Sequence, residues 1–132
     1  MPHILLIDDD DLFREMLSAT LTQMGHTVTE ARDGQEGMAK YARSVPDLVI
    51  TDLIMPEKEG LETIMDLRRK NPGVKIIAMS GGGRVTGADY LQVAKAMGAA
   101  RVFAKPFFRE DLAVAIDEVL GLPGKPTPGS GS

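Results

Sequence analysis

HILLIDDDDLF (residues 3–13) sets a branched apolar run, His3–Ile7, directly against four successive aspartates, Asp8 to Asp11. A continuous run of this kind suits a strand buried on both faces, as in a parallel sheet. Past the aspartates, Phe13, Leu17, Leu21 and Met24 recur at three-to-four spacing and Gly25 follows. That is the pattern of an amphipathic helix, roughly 11–24, with its terminator. The stretch therefore reads as strand, acidic turn, helix. Close carboxylate pairs repel by about 1–4 kcal/mol depending on screening. Something must offset that repulsion at the end of the strand.

The same unit repeats along the chain. HTVTEA (26–31) alternates like a shorter strand, and DGQEGMAKYAR (33–43) reads as a second helix closed by Ser44-Val45-Pro46. DLVITDL (47–53) is a third strand, and EGLETIMDLRRKN (59–71) a helix ended by Pro72-Gly73. VKIIAMS (74–80) is a fourth strand, followed by the loose GGGR (81–84) and a helix over about 87–97 closed by Gly98. RVFA (101–104) is a short fifth strand and REDLAVAIDEVL (109–120) a closing amphipathic helix. GLPGKPTPGSGS (121–132) is too rich in Gly, Pro and Ser to pack a core. Residues 1–121 are thus expected as the folded domain and 122–132 as a flexible tail or linker remnant.

Strand–helix alternation with short links implies a parallel sheet covered on both faces, and right-handed crossovers make it doubly wound. The expected class is α/β, with five parallel strands and five helices. In such sheets the functional crevice lies beyond the carboxyl ends of the strands.

The 132 residues point to one domain, with 43% apolar and 26% charged residues, an ordinary globular balance. A net charge of −4 and the lack of a basic run argue against direct nucleic-acid binding. There is no cysteine, which excludes disulfides and thiolate metal sites. The N-terminal apolar run is too short for a signal peptide or a membrane span. A soluble cytoplasmic protein with no membrane contact is expected.

The strand ends carry the chemistry. Strand one ends in Asp8 and Asp9, strand three in Asp52, strand four in Ser80 and strand five in Lys105. Parallel strands bring these ends to one edge. Three converging carboxylates call for a cation, and an open cluster of hard oxygens suits Mg²⁺. Asp52 is then placed as a nucleophile toward phosphorus, giving an acyl phosphate. Mg²⁺, Lys105 and the Ser80 hydroxyl would stabilise charge on the phosphoryl oxygens. Asp10 is placed as N-cap of the first helix and Asp11 in its first turn, where the helix dipole favours negative charge.

LLIDDD, VITDLIMPEKEG, IIAMSGG and FAKPF, in this order and spacing, resemble the receiver domain of two-component response regulators across about residues 3–120. The resemblance implies a flavodoxin-like sheet of order 2-1-3-4-5. It implies that Asp8, Asp9 and Asp52, with the Ile54 carbonyl, hold Mg²⁺. Asp52 would accept phosphate from a phosphohistidine, with Ser80 as the switch hydroxyl and Lys105 as the essential lysine. A cis Lys105–Pro106 bond is also implied. The implied donor is a sensor histidine kinase or a histidine phosphotransfer protein, docking on Phe13, Met16, Pro106 and Phe107. The face of the fourth helix, fifth strand and fifth helix, with Tyr90 and Leu91, would then control an unknown downstream protein. The chain would act as a monomer or a phosphorylation-dependent dimer, either stand-alone or cut from a larger protein. It would be no turnover enzyme beyond its own phosphorylation and dephosphorylation.

Two departures qualify this. The aromatic that the family carries three residues before the lysine is Val102 here, and Phe103 should face the core instead. Ile54 and Gly82 flank the acceptor without a side chain able to position water, so slow dephosphorylation is expected. GGGR lacks P-loop spacing and reads as a link that lets Ser80 move. His3 and His26 are expected to be structural or solvent-facing. A phosphorylation-independent interaction module is the alternative. A metal-dependent phosphatase is less favoured, because the second acid it needs two residues past the nucleophile is replaced by Ile54.

Overall fold

The computed structural model describes residues 2–53, 60–81, 92 and 94–121. Within them lie β1 (His3–Ile7), α1 (Asp11–Gln23), β2 (Thr27–Ala31), α2 (Gly34–Arg43), β3 (Leu48–Asp52), α3 (Gly60–Lys70), β4 (Ile76–Gly81), β5 (Arg101–Lys105) and α4 (Arg109–Leu120). The five strands form one parallel sheet of order β2-β1-β3-β4-β5.

Alternation along the strands builds two cores. Leu5, Ile7, Val49, Ile76 and Ala78 pack on Tyr41 of α2, on Ile64 and Leu67 of α3, and on Ala94. Ile4, Leu6, Ile50, Ile77 and Met79 pack on Leu17 and Leu21 of α1 and on Leu112 and Ile116 of α4. The sheet is therefore covered on both faces, which is why its central strands read as unbroken apolar runs.

Local signals end the elements close to where the sequence places them. Asp10 caps α1, its side chain accepting from the Phe13 amide at 3.1 Å. Gly25, with φ of 97°, carries the chain out of α1 in a conformation that costs other residues strain. β4 begins at Ile76 rather than Val74. Asn71 makes the difference: its carbonyl and side chain accept from the amides of Val74 (2.9 Å) and Gly73 (3.0 Å), holding these residues in a turn. β5 runs one residue further than RVFA and includes Lys105. Of the helix expected over 87–97, Gln92 and residues 94–96 are helical, and Met97 and Gly98 form the turn that closes it. Residues 87–91 and 93, Tyr90 and Leu91 among them, lie outside the described residues, as do GGGR beyond Gly81 and the tail 122–132.

Register aligns the strand ends. Ile7 stands beside Ala31 and Thr51, Asp52 beside Met79, and Gly81 beside Lys105. The residues at or just past these positions share one edge of the sheet.

Candidate functional site

Asp8 follows β1 and is fully buried. Its amide donates to the Ala31 carbonyl at 3.1 Å, and its Oδ1 accepts from the Asp10 amide at 2.9 Å. That side-chain turn bends the chain from strand to helix. Asp9 lies exposed beside it. The four aspartates thus divide: Asp8 and Asp9 face the site, Asp10 caps α1, and Asp11 pairs with Arg14 at 2.7 Å.

Asp52 ends β3 and is 5% exposed. Its Oδ1 accepts from the Leu53 amide at 2.9 Å, and that amide also reaches the Met79 carbonyl at 2.8 Å. Gly60 packs directly on this backbone. A Cβ there would fall on the Asp52 carbonyl oxygen and lie 2.5 Å from Leu53 Cα.

Lys105, at the end of β5, crosses to the acidic residues. Its Nζ is 2.7 Å from Asp8 Oδ2 and 3.7 Å from Asp52 Oδ2. The same ammonium sits 4.0 Å from the centroid of the Phe13 ring, within the range of cation–π attraction. One carboxylate oxygen from each of Asp8, Asp9 and Asp52 falls within 4.8 Å of the others. Partial burial first, and the neighbouring Asp8 charge second, push the Asp9 carboxyl above its ordinary range. Among the described residues, one ammonium faces three carboxylates, two of them buried. All the offered donors are hard oxygens. This donor set fits a small divalent cation such as Mg²⁺, which would complete the neutralisation.

Ser80, near the end of β4, is fully buried, and its Oγ has no hydrogen-bond partner among the described residues. The structure therefore brings Asp8, Asp9, Asp52 and Lys105 together and leaves the Ser80 hydroxyl without a bond to any of them. The Ile54 carbonyl, expected to complete the metal shell, lies outside the described residues.

Beside the pocket, Phe13 meets Phe107 edge-on with ring centroids 6.1 Å apart, and Phe107 meets Phe103 at 5.3 Å. Phe103 packs on the α1/α4 core and Val102 on the opposite one, as strand alternation requires. Phe13 and Phe107 are half-buried, while Pro106 and Met16 are exposed, Met16 to 61%. A cavity of about 150 Å³ opens between α1 and α4 against Phe13, Met16, Leu17, Thr20, Phe107 and Arg109. The Lys105–Pro106 peptide is cis.

Sequence reasoning overlooked two contributors, Arg14 and Gly60. Arg14 is 8% exposed although it carries a full charge. The available signal was an arginine one turn after four carboxylates, on the edge of an apolar helix face.

The sheet order, the acidic cluster and the bridging lysine together define a class. The chain belongs to the response regulator receiver domain family, whose pattern it matches over residues 4–117. It is 34% identical over 118 residues to the chemotaxis protein CheY of Thermotoga maritima, covering 89% of this chain and 96% of that one. Identity to the transcriptional regulatory protein GlrR of Escherichia coli is 33% over 118 residues, with the chain spanning only 26% of that longer regulator. Among solved structures, a response regulator receiver domain protein from Clostridium thermocellum superposes with a TM-score of 0.85 at 27% identity, covering 92% of this chain and 95% of that one. Receiver domains are the signalling switches of two-component systems, and they bind Mg²⁺ at the acidic pocket. Among the described residues, no helix is long and apolar enough to cross a membrane.

Proposed function

We propose that residues 1–121 form a switch that takes a phosphoryl group from a phosphohistidine onto Asp52 in a Mg²⁺-dependent reaction. The observation that carries this reading is the convergence of Asp8, Asp9, Asp52 and Lys105 at one sheet edge. A carboxylate oxygen of Asp52 attacks phosphorus, the P–N bond to the donor imidazole breaks, and that nitrogen keeps the electron pair. Asp8, Asp9 and Asp52 would hold Mg²⁺, which when bound would supply positive charge to the transferring oxygens.

Lys105 supplies the second positive charge. Its ammonium already lies within 3.7 Å of Asp52, so a short shift from Asp8 brings it to a phosphoryl oxygen. The buried Ser80 hydroxyl, unpaired among the described residues, would gain an acceptor in the same phosphoryl group. Drawing both groups inward would bias the protein toward one of two states of its signalling surface. The donor is a histidine kinase or a histidine phosphotransfer protein that docks on Phe13, Met16, Pro106 and Phe107. The surface formed by the helix after β4, by β5 and by α4 then gains or loses a downstream protein.

Val102 supports one second reading, a module that binds its partner without phosphorylation. It packs into the core where an aromatic readout residue would be expected. Intact mass after incubation with acetyl phosphate and Mg²⁺ separates the two. One phosphoryl group on the wild type, absent from Asp52→Asn and abolished by a chelator, is the expected result. No adduct on folded wild-type protein would favour the phosphorylation-independent module.

A further inference from the structure

We propose that Arg14 is a positioning residue for the cation end of the pocket, clamping the turn that aims Asp8 and Asp9. This rests on the Mg²⁺ reading above. Arg14 lies in the first turns of α1, with its side chain 9% exposed. Nη1 donates to the Asp8 carbonyl at 2.8 Å, Nη2 to Asp11 Oδ1 at 2.7 Å, and Nε to Glu30 Oε1 at 3.1 Å. One planar guanidinium thus ties together the end of β1, the first turn of α1 and the penultimate residue of β2. Glu30 is itself held, its carbonyl accepting from Lys40 Nζ of α2 at 2.5 Å.

The geometry bears directly on the acidic pair. The clamped carbonyl belongs to Asp8, and the same peptide unit leads into Asp9. Fixing it limits how far both carboxylates can swing, alongside the Asp10 amide that holds Asp8 Oδ1. A cation site gains affinity when its ligands are held before the ion arrives, and groups that orient ligands typically change metal affinity by about 10–100-fold when removed. Burying a guanidinium is expensive unless it is fully paired. An apolar residue would fill the volume, but it could neither hold a carbonyl nor offset the aspartates. Arg14 thereby supplies part of the answer to the repulsion in the DDDD run. A lysine would keep the charge but lacks the planar fork that reaches three acceptors at once.

The test is a Mg²⁺ titration followed by ¹⁵N–¹H amide shifts, without phosphodonor, at a temperature where every protein is folded. Arg14→Lys and Glu30→Ala are compared with wild type. The expected result is an Mg²⁺ dissociation constant about tenfold higher for Arg14→Lys, with a smaller rise for Glu30→Ala. Hydrogen exchange of the Asp10 amide, measured without Mg²⁺, should be faster in Arg14→Lys. Wild-type affinity in Arg14→Lys, even with a lowered melting temperature, overturns the proposal. If Arg14→Lys does not fold, unchanged affinity and unchanged Asp10 exchange in Glu30→Ala overturn it. A wild type that ignores Mg²⁺ overturns the metal reading and the Arg14 role with it. Wild-type affinity in Arg14→Lys, with Mg²⁺ still binding, leaves the metal reading intact.

Discussion

Lys105 and Asp8 are separated by 97 positions in the chain, yet their charged atoms meet at 2.7 Å, with Asp8 fully buried. The Lys105 ammonium and a divalent cation would compete in this pocket for the same Asp8 carboxylate. Removing the lysine therefore has two opposed effects. Lys105→Ala leaves the Asp8 charge buried without its partner, which costs about 3 kcal/mol or more. Added Mg²⁺ should then raise the melting temperature of Lys105→Ala more than that of wild type. Phosphorylation by acetyl phosphate should slow by at least about tenfold. Thermal melts with and without Mg²⁺, set beside intact mass, check both; equal Mg²⁺ stabilisation would contradict the competition.

Asp52→Asn removes one of three clustered carboxylates while keeping the side-chain volume. Without metal, the variant should be more stable than wild type, by about 1 kcal/mol. Urea denaturation in a chelating buffer measures the difference. With Mg²⁺ the order should narrow or reverse, because the ion loses a ligand.

Burial, ahead of the opposing pull of Asp117, lowers the His26 pKa below its usual 6.5. The unfolded chain therefore binds the proton more readily than the folded one. Stability should decline as pH falls below about 6.5, down to the lowered folded value, and level off beneath it. His26→Gln should flatten that part of the profile. Chemical denaturation across pH 5–8, roughly the interval in which histidine titrates, provides the check; an unchanged slope would count against the assignment.

Gly60→Ala would drive a methyl group onto the Asp52 carbonyl and Leu53 Cα. The backbone must shift, which costs about 1–3 kcal/mol. Because the displaced segment carries Asp52, Mg²⁺ affinity should fall together with stability. Substituting Gly73, where an added Cβ would meet only Asn71 Oδ1 at 3.5 Å, serves as the control and should change neither by much.

The acyl phosphate on Asp52 should be long-lived, since Ile54 and Gly82 offer no polar side chain to guide water. Loss of the phosphoryl group followed by mass over minutes to hours tests this. A lifetime of seconds would point to a water-positioning group elsewhere in the pocket.

Strand runs such as HILLI and DLVITDL carry the two-sided burial of a parallel sheet in their composition, and the helices carry theirs in the spacing of Leu17, Leu21, Ile64 and Leu67. Those patterns are local, so the alternation and the residues at the strand ends are legible without coordinates. The same holds for the Asp10 cap, whose partner is three residues away.

Contacts between distant segments are another matter. Nothing in the local pattern indicates that Lys105 rests on Asp8 and on the Phe13 ring, that Gly60 presses on Asp52, or that Arg14 reaches across to Glu30. Ser80 shows the same divide: its position at a strand end is a matter of sequence, but the burial of its hydroxyl away from any partner among the described residues is a matter of packing. The physical reason is that periodicity reports which face of an element is covered. Which side chain meets which across the sheet edge depends on register and helix placement, and these are fixed only when the whole chain packs.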